Sequence, residues 1–366
     1  MHVFDTIPAT TDLYIQHSLI GLLRNPWFGG RMDLSPQNTN YSKVSPADRI
    51  RRKKRWDEEG VAATVGTIMT LLVFLTFMGL FTNQFVPVWM SDNESAHMST
   101  AVEQFISLKS AIDLAISRNP NSLVAPSPIF VPITLSSPGI PVFAGPTAGI
   151  LTLSPDTVNG TSSFNTTYEW VSNVSGIPRT FTLSGENDGH SGGSLELYCP
   201  NRYFVEQYII YESGAVILNQ SDGEFVIAGP QLAARNTGSA SQPSWTIMIT
   251  QVTIKGTNNT IGGTGSKGVT ADLKFADTVQ LTNSNLVDLT FTIRSKHGVA
   301  WMEYFNRTLN SSGMVYGTHF EIDKTYHDFS DDRYNYYDIT IVVHRVSVLD
   351  HTRATVTLSI GEMGVI

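Results

Sequence analysis

Gly189-His190-Ser191-Gly192-Gly193 has the spacing of an activated serine. The pattern G-x-S-x-G works because a strand turns sharply into a helix and lifts the serine hydroxyl above a parallel sheet. Here the next segment, Ser194–Tyr198, alternates like a strand, and no strand–helix–strand repeat surrounds it. A glycine-rich hairpin loop accounts for these residues, with a membrane-tethered serine hydrolase using Ser191 as an alternative. Gly262-Gly263-Thr264-Gly265-Ser266-Lys267 has the glycines of a phosphate loop. Ser266 precedes Lys267, Gly268 follows it, and no helix comes next, so the order G-x-x-x-x-G-K-[ST] fails. Glu321, Asp323, Asp328, Asp331 and Asp332 offer the oxygen ligands calcium takes, but without EF-hand spacing, and read as a solvated acidic loop. The nine histidines lack the pairings zinc needs. The expectation is a protein with no catalytic, cofactor-binding or metal-binding residues.

The remaining chemistry is modification. Sequons of the form Asn-X-Ser/Thr begin at Asn93, Asn159, Asn165, Asn173, Asn219, Asn258, Asn306 and Asn310. Their number exceeds what the Ser and Thr content alone predicts, which favours an exterior domain carrying sugar. A Thr/Ser-rich β protein with accidental sequons is the alternative. Asn40 begins another sequon on the expected inner side, where it stays bare. A single cysteine, Cys199, excludes an internal disulfide and reads as a buried thiol.

The element that positions all of this is Gly60–Met90. No Asp, Glu, Lys or Arg occurs between Glu59 and Asp92. A bilayer core takes about 20 apolar residues in a helix, and a helix keeps its backbone hydrogen bonds internal. Arg51-Arg52-Lys53-Lys54-Arg55 precedes the run, and basic flanks stay on the cytoplasmic side. Residues before the run are therefore expected inside the cell, and everything after about Met90 outside. Residues 1–60 hold nine basic and seven acidic residues, whereas the rest holds fifteen against twenty-five. So acidic a remainder argues against nucleic acid as a partner.

Residues 1–50 read as weakly structured, broken by Pro8, Pro26 and Pro36. Trp89 is placed as an interfacial anchor, and Pro87 is expected to kink the helix. Met98, Val102, Phe105, Leu108, Ile112 and Ile116 then recur at helical spacing, with Glu94, Glu103, Lys109 and Asp113 between them. This amphipathic half needs a surface to cover, either its own β-domain or a neighbouring copy. Pro126–Pro155 reads as edge strands or linker. After it come short strands, clearest in the paired hairpins of Glu206–Gly229 with turns at Ser213-Gly214 and Asp222-Gly223. Thr257–Lys267 reads as a flexible loop. One helix, Val299–Leu309, carries Trp301, Tyr304, Phe305 and Leu309 on one face.

Residues 51–118 resemble the N-terminal part of archaeal type IV pilin-like proteins. The resemblance rests on basic Arg51–Arg55, the small residue Gly60, uncharged Val61–Met90 and the amphipathic continuation to Arg118. In that family a membrane peptidase cuts after the small residue, and the apolar helices then pack in a filament core. The resemblance implies Gly60 as the last leader residue and Val61 as the new N-terminus. It also implies a leader peptidase and copies of the chain, through residues 61–118, as partners. Asn201-Arg202-Tyr203-Phe204, Ile210–Ile217 and the helix around Trp301–Leu309 look like the outer domains of archaeal pilin-like surface proteins.

The expected fold is α+β. It has a tail or leader at 1–59, a transmembrane helix at 60–90, an amphipathic stem at 91–119 and a mainly antiparallel, β-sandwich-like ectodomain at 120–366. The expected function is a non-enzymatic cell-surface glycoprotein that assembles as a pilin-like subunit. A single-span envelope or adhesion protein that never polymerises is the alternative.

Overall fold

Ser45 and Pro46 start the first element. The computed structural model describes residues 45–119, 126–155, 163–171, 178–183, 192–239, 241–328 and 335–362. Pro46 sits where a missing N–H costs nothing, and Ser45 Oγ accepts the Ala47 N–H at 3.3 Å. Helix α1 then runs from Pro46 to Arg118 without interruption. The sequence placed its start near Gly60. It begins fourteen residues earlier because Arg51–Arg55, Glu58 and Glu59 are good helix formers behind a strong start signal. Pro87 lies inside α1 and does not end it. Two units divide the chain, Met1–Leu71 and Leu72–Ile366. In the first, the described residues all belong to the start of α1, apart from Ser45.

The second unit holds two sheets and a second helix. The first sheet is built on two long strands, β12 (Ser266–Ser295) and β14 (Tyr336–Glu362), paired antiparallel. Strands β1 (Ile129–Thr134) and β3 (Ser163–Val171) pair with successive lengths of β12, and β4 (Pro178–Leu183) extends β3. Strands β10 (Trp245–Gly256) and β13 (Phe320–His327) do the same along β14, and β9 (Leu232–Asn236) extends β10. The β10–β14 pair is parallel, and every other pair is antiparallel. The second sheet runs β11 (Asn259–Gly263), β2 (Gly149–Ser154), β5 (Ser194–Cys199), β6 (Gln207–Glu212), β7 (Ala215–Gln220), β8 (Gly223–Ala228). This is the expected α+β, sandwich-like class. Thr257–Lys267 is corrected from a loop to strand β11 plus the start of β12, because its Thr and Ile residues pair with β2.

Both sheets contribute to two apolar cores. The first surrounds the second half of α1: Met98, Ala101, Phe105, Leu108, Ile112 and Ile116 pack on Leu151, Leu197, Tyr211, Ile254 and Val356. The stripe predicted from helical spacing therefore covers its own β-domain. The second core surrounds α2 (Gly298–Ser311), whose Trp301, Tyr304, Phe305 and Leu309 pack with Ile217, Trp245, Phe291 and Ile341. The β6–β7 hairpin separates the cores. Ile209, Tyr211, Val216 and Leu218 face the first, and Ile210, Ala215 and Ile217 face the second. That is why this segment reads as an unbroken apolar run, since a strand buried on both faces needs no polar alternation. Its turn places Ser213 at φ 48° and Gly214 at φ 78°, the left-handed pair a two-residue hairpin demands.

Phe105 is wholly buried at the centre of the stem contact. Truncation Phe105→Ala is expected to cost about 3–5 kcal/mol, read as a lower midpoint in denaturant unfolding of the full chain in mild detergent.

Candidate functional site

Two buried polar clusters stand out. The first is on α1. Glu94 lies on the stripe of Met90, Met98 and Ala101, and none of its surface is exposed. Its Oε1 accepts Thr147 Oγ1 at 2.8 Å and the Arg202 N–H at 3.1 Å. Its Oε2 accepts the N–H groups of Arg202 (3.1 Å), Tyr203 (2.8 Å) and Phe204 (2.8 Å). Successive backbone N–H groups make an anion-binding nest, and here the anion is the chain's own side chain. Burial pushes the Glu94 carboxyl up, but the hydrogen bonds from Tyr203, Phe204, Thr147 and Arg202 outweigh it and hold the carboxyl below its ordinary range.

Neighbouring residues extend the clamp. Asn93 Nδ2 donates to Pro138 O at 3.2 Å, and His97 Nε2 meets Thr134 O at 2.9 Å. Gln104 takes the Thr134 N–H (2.8 Å) and donates to its hydroxyl (3.0 Å). Burial lowers the His97 pKa, so the ring is held neutral and gives its Nε2 proton to the carbonyl. Lys109 and Asp113 form an ion pair one turn apart, and burial raises the Asp113 carboxyl against the pull of Lys109.

The second cluster surrounds the start of α2. Glu212 Oε1 accepts Ser295 Oγ and, at 2.7 Å, Trp301 Nε1. Ser295 Oγ in turn accepts the His297 N–H at 3.0 Å. Glu224 reaches across from β8: Oε1 accepts the N–H groups of Val299 (2.8 Å) and Ala300 (3.3 Å), and Oε2 meets His297 Nδ1 at 3.0 Å. A carboxylate at a helix N-terminus satisfies orphan donors and complements the dipole. Burial would lower the His297 pKa, but the Glu224 hydrogen bond and the charges of Glu212, Glu224 and Glu196 raise it. Burial raises the Glu196 carboxyl, with Lys296 and His297 opposing. Ser295 is fully buried and tied to a carboxylate rather than to an imidazole, so the cluster lacks the arrangement that activates a serine.

The residues singled out by sequence are dispersed. Gly60 and Val61 lie exposed on α1. Asn258, Asn306 and Asn310 are exposed, Asn219 is half-buried, and Asn93 has its amide engaged. Asn159 and Asn173 lie outside the described residues, as does Ser191, while Asn165 falls on β3. Glu321 and Asp323 are exposed on β13, Asp328 follows it, and Asp331 and Asp332 lie outside the described residues. Among the described residues no group of three or more His, Cys, Asp and Glu side chains has metal-binding geometry. Cys199 is a free, buried thiol, pushed up to about 12 by burial. Sequence reasoning placed Glu94 on the polar side of the stem and did not select Glu212, Glu224 or His297. The groups that bond these carboxylates are 53 to 110 residues away, so spacing carries no signal of them. Compared with known proteins, the chain matches no family model, no curated sequence and no solved structure.

Two titrations follow. Glu94 is depressed, so its contribution is present above pH 4.5 and is lost as pH falls through the folded value below that. Glu94→Gln is expected to lose about 3 kcal/mol at neutral pH and to flatten this acid limb in urea unfolding. His297 is raised, so its contribution is complete below pH 6.5 and is lost as pH rises through the folded value. His297→Gln is expected to remove an alkaline decline in melting temperature that the parent chain shows.

Proposed function

We propose that this chain is a non-enzymatic cell-surface protein held in a membrane by the apolar part of α1, with its N-terminal segment cytoplasmic and its β-rich head outside. The observation that carries the reading is a change of environment along one helix. From Gly60 to Leu80 the side chains are exposed, apart from half-buried Met78, and nearly all are apolar. That run of about 21 residues is about 31 Å long, the thickness of a bilayer core. Its threonines are internally satisfied: Thr64, Thr67, Thr70 and Thr76 each donate at 2.8 Å to carbonyls of Gly60, Thr64, Gly66 and Leu72. Polar Thr82-Asn83-Gln84 follows, and head contacts begin, with Val86 and Met90 buried.

A pilin-like subunit is the finer form of this proposal. Gly66 and Gly79 have nothing within 4 Å of the position a Cβ would take, which leaves room for another helix to approach. The assembly surface is then the apolar run alone, since Met98–Ile116 is already covered by the head. The peptide joining Gly60 and Val61 is exposed on the helix, as a leader peptidase requires. Exposed Asn258 and Asn306 are the best-presented sugar acceptors.

Mass spectrometry of the protein from its native envelope tests both levels. The expected result is a chain beginning at Val61 with sugar on Asn258 and Asn306. A chain still carrying residues 1–60 overturns the pilin-like form and leaves the permanent anchor.

A further inference from the structure

We propose that the loop Gly139–Gly145 is a second membrane contact, with Val142 and Phe143 entering the outer lipid interface beside the span. The inference rests on the membrane-held reading above. The loop reads Gly-Ile-Pro-Val-Phe-Ala-Gly, and no charged residue occurs anywhere between Arg118 and Asp156. Val142 is 100 % exposed, the most open large apolar side chain among the described residues, and Phe143 beside it is 39 % exposed although it packs on the helix. Val142 also takes φ 72°, a left-handed conformation that a β-branched residue rarely adopts. Packing within the chain gives no return for that strain, and strain of this kind gathers at contact sites.

The position of the loop identifies what it meets. Phe143 packs on Phe81 with ring centroids 5.1 Å apart, at the point where the exposed apolar run ends and Thr82-Asn83-Gln84 begins. Phe85 and Trp89 join the same group, at 5.7 and 5.5 Å from the Phe81 ring. Trp89 suits this level because amphipathic indole rings gather at the interface, and the three Phe rings pack around it as its apolar side. Phe143 thus adds a ring from the head to the belt of the helix.

The loop is also held rigidly in place. Asn93 Nδ2 holds Pro138 O at one end and Glu94 holds Thr147 Oγ1 at the other. Ser137 and Thr147 bridge across its base. At the tip, the Ile140 N–H donates to Ala144 O (2.9 Å), and the N–H groups of Phe143 and Ala144 donate to Ile140 O (3.1 and 3.0 Å). These internal bonds reduce the cost of bringing backbone near lipid. Clamped at Asn93, the loop reaches back along about 18 Å of α1 to Phe81. A span and a loop side by side fix the tilt of the head, which a lone helix leaves free.

The test uses the full chain in phosphatidylcholine nanodiscs, with an environment-sensitive fluorophore on Val142→Cys, Leu72→Cys or Asp222→Cys. Cys199 is buried and stays unlabelled. Lipids carrying a spin label high on the acyl chain or near its end serve as quenchers, the first for position 142 and the second for position 72. The expected result is loss of most fluorescence at positions 142 and 72 and no loss at 222, an exposed turn. A label at 142 that behaves like the one at 222, while 72 is quenched, overturns the loop contact and leaves the anchor intact. A label at 142 that is shielded from water yet unquenched means a protein neighbour covers the loop, which also overturns it. If 72 is not quenched, the anchor reading fails and the loop contact fails with it.

Discussion

A single stripe of α1 has to be covered for the head to exist. Met98, Phe105, Leu108, Ile112 and Ile116 supply one wall of the first core, and Leu151, Leu197, Tyr211 and Val356 supply the rest. Without the helix, those strands expose an apolar face to water, a cost of about 25 cal/mol for each Å² left uncovered. The stem is therefore part of the head's interior. Glu94 sets its register, because one carboxylate must meet Thr147 Oγ1 and three consecutive N–H groups at once. A slip along or around the helix strands a buried charge, which is among the most destabilising changes a protein can suffer.

The two long strands carry that arrangement from one core to the other. The first half of β12 and the last half of β14 face α1, whereas the opposite halves face α2. Between them the register shifts at Thr282/Val287 and Val287/Leu289, and Arg345 takes φ 63° on the facing strand. Extra residues on one strand of a pair bend it and sharpen its twist. The bend lets one pair of strands serve two cores that each hold a helix. At the second, Glu224 does for the start of α2 what the 202–204 nest does for Glu94: it joins a charge to unpaired backbone groups.

Legibility of the site in the sequence followed the range of the interaction. The exposed apolar run, the stripe of Met98 to Ile116, and Trp301, Tyr304, Phe305 and Leu309 were all readable, because helical burial repeats every three to four residues. The Ser213-Gly214 hairpin was readable because its turn needs left-handed residues side by side. Strand β11 was not. Gly262 and Gly263 look like loop residues, and their strand character comes from pairing with Ile150 and Gly149 more than a hundred positions earlier. Glu94 was misplaced for a related reason. A charge on a helix is expected outward unless a partner awaits it, and Arg202, Tyr203 and Phe204 offer only backbone, which the sequence does not display.

The sequence by itself determined that the chain has one helix able to cross a membrane, a second helix with an aromatic face and a head built of strands. Composition and period suffice for that, since both report on a residue's near neighbours and on the solvent it prefers. Only the tertiary structure decided where the uncharged run passes from exposure to protein contact. The run of 31 residues, Gly60–Met90, is continuous in sequence, yet Val86 and Met90 are buried in the head while Gly60–Leu80 stays open. It also decided that Phe143 stands against Phe81, although 62 positions separate them. Such contacts depend on where a folded loop is carried by the clamps at its ends, and no local pattern records that distance.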